Sequence, residues 1–186
     1  MIHEPAPIEY DFTEIIRRYD PDERLERYYD ALITENRKIN IVSRETDRQG
    51  LMKLSVESLV PLHSICLARV KTYLDIGSGG GIPAVPILLA KEAGGDLTER
   101  TVLVERTGKK AGALRRILGS LGLKAEIVNK TFEDYTPRVK FDLITMRYIK
   151  LTRKLLRAAL STLGEDGLFV YYAQPDFKTA GLNVCA

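Results

Sequence analysis

The sequence predicts an α/β fold: a doubly wound, mostly parallel sheet with helices on both faces, preceded by an N-terminal helical extension. Three observations predict it. From Thr72 onward, short apolar runs alternate with segments of helical periodicity. A glycine-rich turn, Gly77-Ser78-Gly79-Gly80-Gly81, follows the first of those runs. The first 70 residues show helix starts and helical spacing instead. Strands that alternate with helices build parallel sheets with right-handed crossovers.

Taken in order, residues 1–10 read as loose. Asp20 reads as a helix cap, with Pro21 in the first turn and Glu23 completing a capping box. Leu25, Tyr28, Tyr29, Leu32, Ile33 and Ile39 then fall on one helical stripe, and Asn40–Ser43 ends that element. A second helix over 48–68 carries Leu51, Leu54, Leu59 and Leu62, with Pro61 kinking or ending it. Candidate strands are 72–76, 101–105, 125–129, 141–145 and 167–173; candidate helices are 82–93, 108–121 and 150–163. The division expected is an extension over 1–70 packed on a core over 71–186, one domain overall. The fifth strand would lie at a sheet edge. Either residues 174–186 fold over it, or it pairs with a second copy, so self-association through this edge is an expected partner interaction.

Composition excludes several classes. With 186 residues, 45% hydrophobic and 28% charged, the chain reads as globular, not disordered. No apolar run is long enough for a membrane span, and the acidic start Met1–Pro5 does not read as a signal peptide. Two cysteines make no disulfide framework and read as reduced thiols of a cytoplasmic protein. Two distant histidines and no Cys/His cluster predict no metal. The charge is uneven: residues 1–70 carry 10 Lys/Arg and 13 Asp/Glu, residues 71–186 carry 18 and 12. That is either an ordinary solvated surface or a basic face for polyphosphate. Lys109, Lys110, Arg115, Arg116, Arg153 and Lys154 are candidate phosphate contacts.

In doubly wound sheets, ligands sit at the carboxyl ends of strands near the point where strand order reverses. That rule selects Gly77–Ile82, Glu105, Phe132–Glu133 and Thr145–Tyr148. Gly77, Gly79 and Gly81 allow close backbone approach, and Ser78 and Ile82 belong to the same turn. The G-x-G-x-G spacing is not the G-x-G-x-x-G that seats a pyrophosphate. Asp75, just before the turn, would repel phosphate and suit an ammonium. Glu105 stands where an acidic residue takes ribose hydroxyls. Phe132 either meets an adenine or belongs to the core. Together these point to S-adenosylmethionine, which carries a carboxylate, an ammonium and a sulfonium but no phosphate.

The acceptor side reads Thr145-Met146-Arg147-Tyr148. The N-P-P-Y-like loop used for exocyclic amines is absent, and neither Cys66 nor Cys185 is near enough in the chain to attack a pyrimidine. Guanine N7 has a lone pair in the neutral base, so displacement there needs alignment and no prior deprotonation. No catalytic residue stands out.

The chain resembles the small-subunit ribosomal RNA guanine-N7 methyltransferases, also called the glucose-inhibited division protein B family. The similar stretches are Asn36–Ser43, Leu74–Pro83, Glu105 with Lys109-Lys110 and Leu114-Arg115, and Phe141–Arg147. The resemblance implies a Rossmann-like class I S-adenosylmethionine-dependent methyltransferase acting on ribosomal RNA. It assigns cofactor contacts to Gly77, Ile82, Phe132, Glu133 and Arg147. Arg147, Tyr148, Lys109 and Lys110 are the candidate substrate contacts. Lys53–Ser58 stands where the family usually has R-H-x-x-D-S, and the antiparallel strand pair that usually closes the sheet is expected to be missing. A member that binds cofactor or RNA without efficient catalysis is therefore the alternative.

Overall fold

A computed structural model of the chain describes residues 11–173. Five parallel strands, β1 (Thr72–Ile76), β2 (Arg100–Val104), β3 (Glu126–Val128), β4 (Phe141–Arg147) and β5 (Leu163–Tyr172), form one sheet in the spatial order β3-β2-β1-β4-β5. The order runs outward from β1 to β3, then returns to the other side of β1 for β4. That reversal puts the switch point at β1 and β4.

Side chains alternate across the sheet because the strand period is two. Tyr73, Leu103 and Leu143 point into one core cluster; Leu74, Ile76, Val102, Val104, Ile144 and Met146 point into the other. The first cluster is covered by α1 (Phe12–Tyr19), α2 (Arg24–Asn36), α3 (Arg48–Leu59), α4 (Ala84–Ala93) and α5 (Gly108–Leu121). The second is covered by α6 (Arg153–Thr162), through Leu155 and Ala159, and by Phe132. Helix α5 shows how the pattern works: Leu114, Ile117, Leu118 and Leu121 recur at three- and four-residue spacing and are all buried. Each such side chain contributes roughly 1.5–3 kcal/mol of transfer free energy.

Several boundaries differ from those the sequence predicts. Helix α1 was not expected; Asp11 starts it, its Oδ1 accepting from the amides of Thr13 and Glu14 at 2.9 and 3.1 Å. The expected capping box at Asp20 does not form. Pro21 and Asp22 make a turn, and Asp20 reaches past it to accept from the amides of Arg24 and Leu25 at 2.9 and 2.8 Å. Glu23 precedes the helix in a left-handed conformation without a side-chain cap. The helix expected over 48–68 ends at Leu59, and 3₁₀ turns at Val60–His63 and Leu67–Arg69 follow. Pro61 sits in the first of them and donates no amide. Helix α6 starts at Arg153, where Thr152 Oγ1 accepts from Leu155 at 3.1 Å, and β5 begins earlier than expected, at Leu163.

Among the described residues β5 pairs only with β4, so its other edge is open there. The expectation about residues 174–186 falls outside the described residues. No helix of the described residues is long and apolar enough to cross a membrane, and none of their His, Cys, Asp and Glu side chains cluster as a metal site would.

The extension is held to the core by charge as well as packing. Buried Glu35 of α2 accepts from Arg116 of α5 at 2.6 Å and from Lys38 at 2.8 Å. The Arg116 guanidinium first, and then the Lys38 ammonium, hold its carboxyl down to about 2. A depressed carboxyl stabilises the fold above its unfolded value near 4.5 and loses that contribution as pH falls toward about 2. Glu35→Gln is expected to lower the melting temperature at neutral pH and to flatten the loss of stability between those two pH values. Parallel acid melting curves for variant and parent would overturn this.

Candidate functional site

Register puts the site together. Ile76 of β1 lies opposite both Val104 of β2 and Met146 of β4. The next residue on each strand path, Gly77, Glu105 and Arg147, therefore emerges in one row at the carboxyl edge. The amides of Gly77 and Ser78 both donate to Val104 O, at 2.8 and 3.0 Å, which bends the chain sharply after β1.

The glycines of this turn do different jobs. A Cβ on Gly81 (φ +100°) would meet Val85 Cγ2 at 2.5 Å, and one on Gly80 would meet Leu32 and Ile41 at 2.6 and 2.7 Å. One on Gly77 would meet Ile149 at 2.0 Å. These three let the protein pack on its own turn. Gly79 (φ +52°) is different: its nearest neighbour would be Gly77 O at 3.9 Å, so the space beside it is open. Ligand approach, expected for Gly77, Gly79 and Gly81 alike, thus fits Gly79 best. Gly81 does not line the cleft described below.

Glu105 fastens the row. Its Oε2 accepts from the amide of Gly79 at 2.9 Å and its Oε1 from that of Thr107 at 2.7 Å. Each oxygen keeps a second lone pair for a hydroxyl. Asp75 lies deeper than expected: it is buried beneath the turn and does not line the cleft. Tyr73 Oη and Thr145 Oγ1 are 2.8 Å apart, and Thr145 donates to Asp75 Oδ1 at 2.6 Å. Asp75 Oδ2 has no partner. Burial pushes its carboxyl up to about 6, the hydrogen bond from Thr145 opposing the effect and the charge of Glu105 adding to it.

A cleft of about 550 Å³ opens over this row. Of the residues the sequence singles out, Gly77, Ser78, Gly79, Ile82, Glu105, Phe132, Glu133, Arg147, Tyr148 and Lys110 line it. Phe132 is buried against the α6 core, as its core reading expects, and it also lines the cleft. Lys109 does not line the cleft: one residue along α5 turns a side chain by about 100°. Arg116 is engaged by Glu35. Ile41, Val42, Leu54, Arg106, Thr107, Lys130, Ile149 and Lys150 line the cleft without having been singled out for it. For Ile41 and Val42 a signal existed, because Asn36–Ser43 is one of the stretches that carry the resemblance. Asn36 Oδ1 accepts from both of their amides, at 2.8 and 3.1 Å, and so sets that wall.

Arg147 was expected at the cleft mouth. It is 8% exposed and forms a partition instead. Its Nη2 donates to Glu57, its Nη1 donates to Leu54 O at 3.3 Å, and its guanidinium lies 4.9 Å from the Tyr148 ring centre and 5.4 Å from that of Tyr172.

An open Gly79, a hydroxyl-ready Glu105 and apolar walls at Ile82 and Phe132 suit a nucleoside. Strand order and site together define the class I S-adenosylmethionine-dependent methyltransferase fold. Two solved structures share it: a T. Thermophilus 16S rRNA N2 methyltransferase in complex with AdoMet and guanosine, and an O-methyltransferase from a trans-AT PKS multienzyme of Brevibacillus brevis in complex with S-adenosyl-L-homocysteine. The first has a TM-score of 0.56 at 20% identity, over 73% of this chain and 37% of that one. The second has 0.53 at 20%, over 76% and 47%.

The chain belongs to the family GidB, rRNA small subunit methyltransferase G, whose model matches residues 22–178. Proteins named ribosomal RNA small subunit methyltransferase G are 31% identical in Pelodictyon phaeoclathratiforme, over 88% of this chain and 63% of that protein. The figures are 34%, 80% and 72% for Chromobacterium violaceum, and 32%, 81% and 81% for Helicobacter pylori. The chain thus spans from just under two thirds to about four fifths of these relatives.

Two outcomes are expected from the geometry. Gly79→Arg should fold with the modest loss of stability that its left-handed φ imposes, whereas Gly81→Arg should melt well below it, because its side chain starts inside Val85. Equal melting of the two variants would refute the division of roles. A raised Asp75 makes stability fall as pH rises from about 4 to about 6, since the folded state holds the proton longer than the unfolded state. Asp75→Asn should flatten that interval in chemical denaturation, and an unchanged slope would show that Asp75 titrates normally.

Proposed function

We propose that the chain binds S-adenosylmethionine in this cleft and transfers its methyl group to N7 of a guanine in small-subunit ribosomal RNA. The observation that carries the reading is Glu105, fixed by two backbone amides with lone pairs still free, beside the open space at Gly79. When bound, S-adenosylmethionine supplies an electrophilic methyl carbon on a sulfonium.

The residues of the chain do the rest. Glu105 accepts from the ribose hydroxyls and so orients the nucleoside. Phe132 and Ile82 give the adenine an apolar slot that excludes water. Asp75 acts from beneath, buried under the turn and outside the cleft lining, where it accepts from the Thr145 hydroxyl. Ser78 fixes the turn by donating from its hydroxyl to Asp75 O at 3.2 Å. Guanine N7 attacks with its own lone pair, so the protein has only to align donor and acceptor. Lys110, Lys130, Lys150 and Arg106 line the cleft and supply cations for RNA phosphates. Ribosomal RNA as substrate implies the cytoplasm as the place of action. Self-association through the outer edge of β5 belongs to the same proposal, and light scattering over a concentration series tests it; a monomer throughout overturns it.

The deciding experiment combines calorimetric titration of S-adenosylmethionine with mass spectrometry of small-subunit RNA after incubation. Binding with 7-methylguanine formation is expected. Binding without transfer would favour the non-catalytic alternative, and absence of binding would overturn the cofactor assignment. RNA affinity should fall steeply with salt, and replacing Lys110, Lys130 and Lys150 together by Ala should reduce the slope of log affinity against log salt by about 2–3. An unchanged slope would remove these lysines from the RNA interface.

A further inference from the structure

We infer that the cavity on the far side of Arg147 receives the acceptor base, with Tyr148 as its stacking platform and Glu57 as the residue that reads its donor edge. The inference rests on the methyl donor occupying the cleft described above. The cavity measures about 480 Å³ and shares Leu54, Arg147 and Tyr148 with that cleft, so the two spaces meet across one wall.

Tyr148 is the least ordinary residue on that wall. It follows β4 directly, its φ is +57°, and it is 62% exposed. Bulky L residues seldom adopt this conformation, and where they do, a ligand contact is a common reason. An apolar ring held open to solvent also gains nothing from burial. Arg147 supports the ring at 4.9 Å and leaves most of it free. A supported, exposed aromatic ring is what an unstacked base lies on.

Glu57 supplies the discrimination. Its Oε2 takes the Arg147 guanidinium, which fixes the carboxylate, and its Oε1 has no partner among the described residues. Glu45 and Asp47 also line the cavity, Asp47 accepting from the amide of Gly50 at 2.7 Å as the cap of α3, but Glu57 alone of the three is held by the Arg147 partition. A carboxylate only accepts. Guanine presents N1–H and N2–H side by side on its Watson–Crick edge, whereas adenine presents a bare N1 there. Glu57 therefore takes guanine and rejects adenine. With that edge on Glu57, N7 lies across the ring, free of the carboxylate, and O6 stands beside N1 on the flank of the same edge. Arg147 Nε, a buried donor without a partner in the shared wall, suits O6.

The chain contains no tryptophan, so Tyr148→Trp gives one fluorescent reporter at the platform. The test titrates this variant, with S-adenosylhomocysteine present, against a short single-stranded RNA holding one guanine and against the same RNA with adenine in its place. Quenching is expected with both, with the guanine RNA bound about tenfold more tightly. Adding Glu57→Gln should abolish that preference while leaving the melting temperature close to that of the single variant, because the amide oxygen still accepts from Arg147. No quenching by either RNA would overturn the platform, and a preference that survives Glu57→Gln would overturn the reader. Calorimetry with S-adenosylmethionine on the same proteins separates the two levels. Normal cofactor binding with a failed titration defeats this inference alone, and lost cofactor binding in the parent protein defeats the reading beneath it.

Discussion

One carboxylate joins two chain segments that would otherwise part at the sheet's edge. Glu105 stands one residue past β2 and accepts from amides in the turn after β1 and in the turn that opens α5. This works because β1 and β2 end level, Ile76 opposite Val104, so the two turns start at the same height. A shift of one residue would carry Glu105 to the other face of the sheet. Packing enforces the register on both sides: Leu103 is buried in the helical cluster, while Val102 and Val104 are buried under α6. The open space at Gly79, the free lone pairs of Glu105 and the place of Arg147 all follow from that alignment.

Beneath this row the protein leaves one polar group partly unsatisfied. Asp75 sits on the buried face of β1, its Oδ1 served by Thr145 and its Oδ2 by nothing. Burying an unpaired carboxylate oxygen costs free energy that packing nearby does not recover. A hydrophobic residue at this position would remove the cost, so stability alone does not account for Asp75. What it does is join β1 to β4, since Asp75 and Thr145 are register partners on those strands. The Tyr73–Thr145–Asp75 chain holds the carboxylate in one orientation.

The sheet was legible because its signals are local. Strand runs such as 72–76 and helix 108–121 lie where periodicity puts them, and the crossover rule fixes their order. Glu105 was legible from its distance to the glycine turn. Asp75 was legible as chemistry but not as depth, since one sequence cannot show that the residue before a turn faces inward. Gly81 was misjudged for a related reason: a glycine needed by a ligand and one needed by Val85 look the same in sequence. The tasks of Arg147 and Glu57 were not legible at all. Their pairing joins residues 90 positions apart and depends on how α3 crosses the end of β4. Helix α1 escaped notice because it is a single short element, although Asp11 followed by Glu14 is a recognisable start.

That α3 contact changes how the first 70 residues are to be understood. Among the described residues of that stretch, 11–70, none belongs to a strand of the sheet, yet they build much of the site. Ile41 and Val42 form one wall of the cleft, Leu54 the boundary between its two spaces, and Glu57 holds Arg147 in the partition. The glycine turn itself leans on them. Tyr28 donates to Gly80 O at 3.0 Å, and the Cα of Gly80 is pressed against Leu32 and Ile41 with no room for a side chain. In a bare doubly wound sheet the turn after β1 would be shaped by its own strand and helix. Here α2 presses on it from outside, so any displacement of α2 moves the backbone that Glu105 holds. Glu35 and Arg116 tie α2 to α5 as well, the helix that starts three residues after Glu105, so α2 is joined to both of the segments that Glu105 spans.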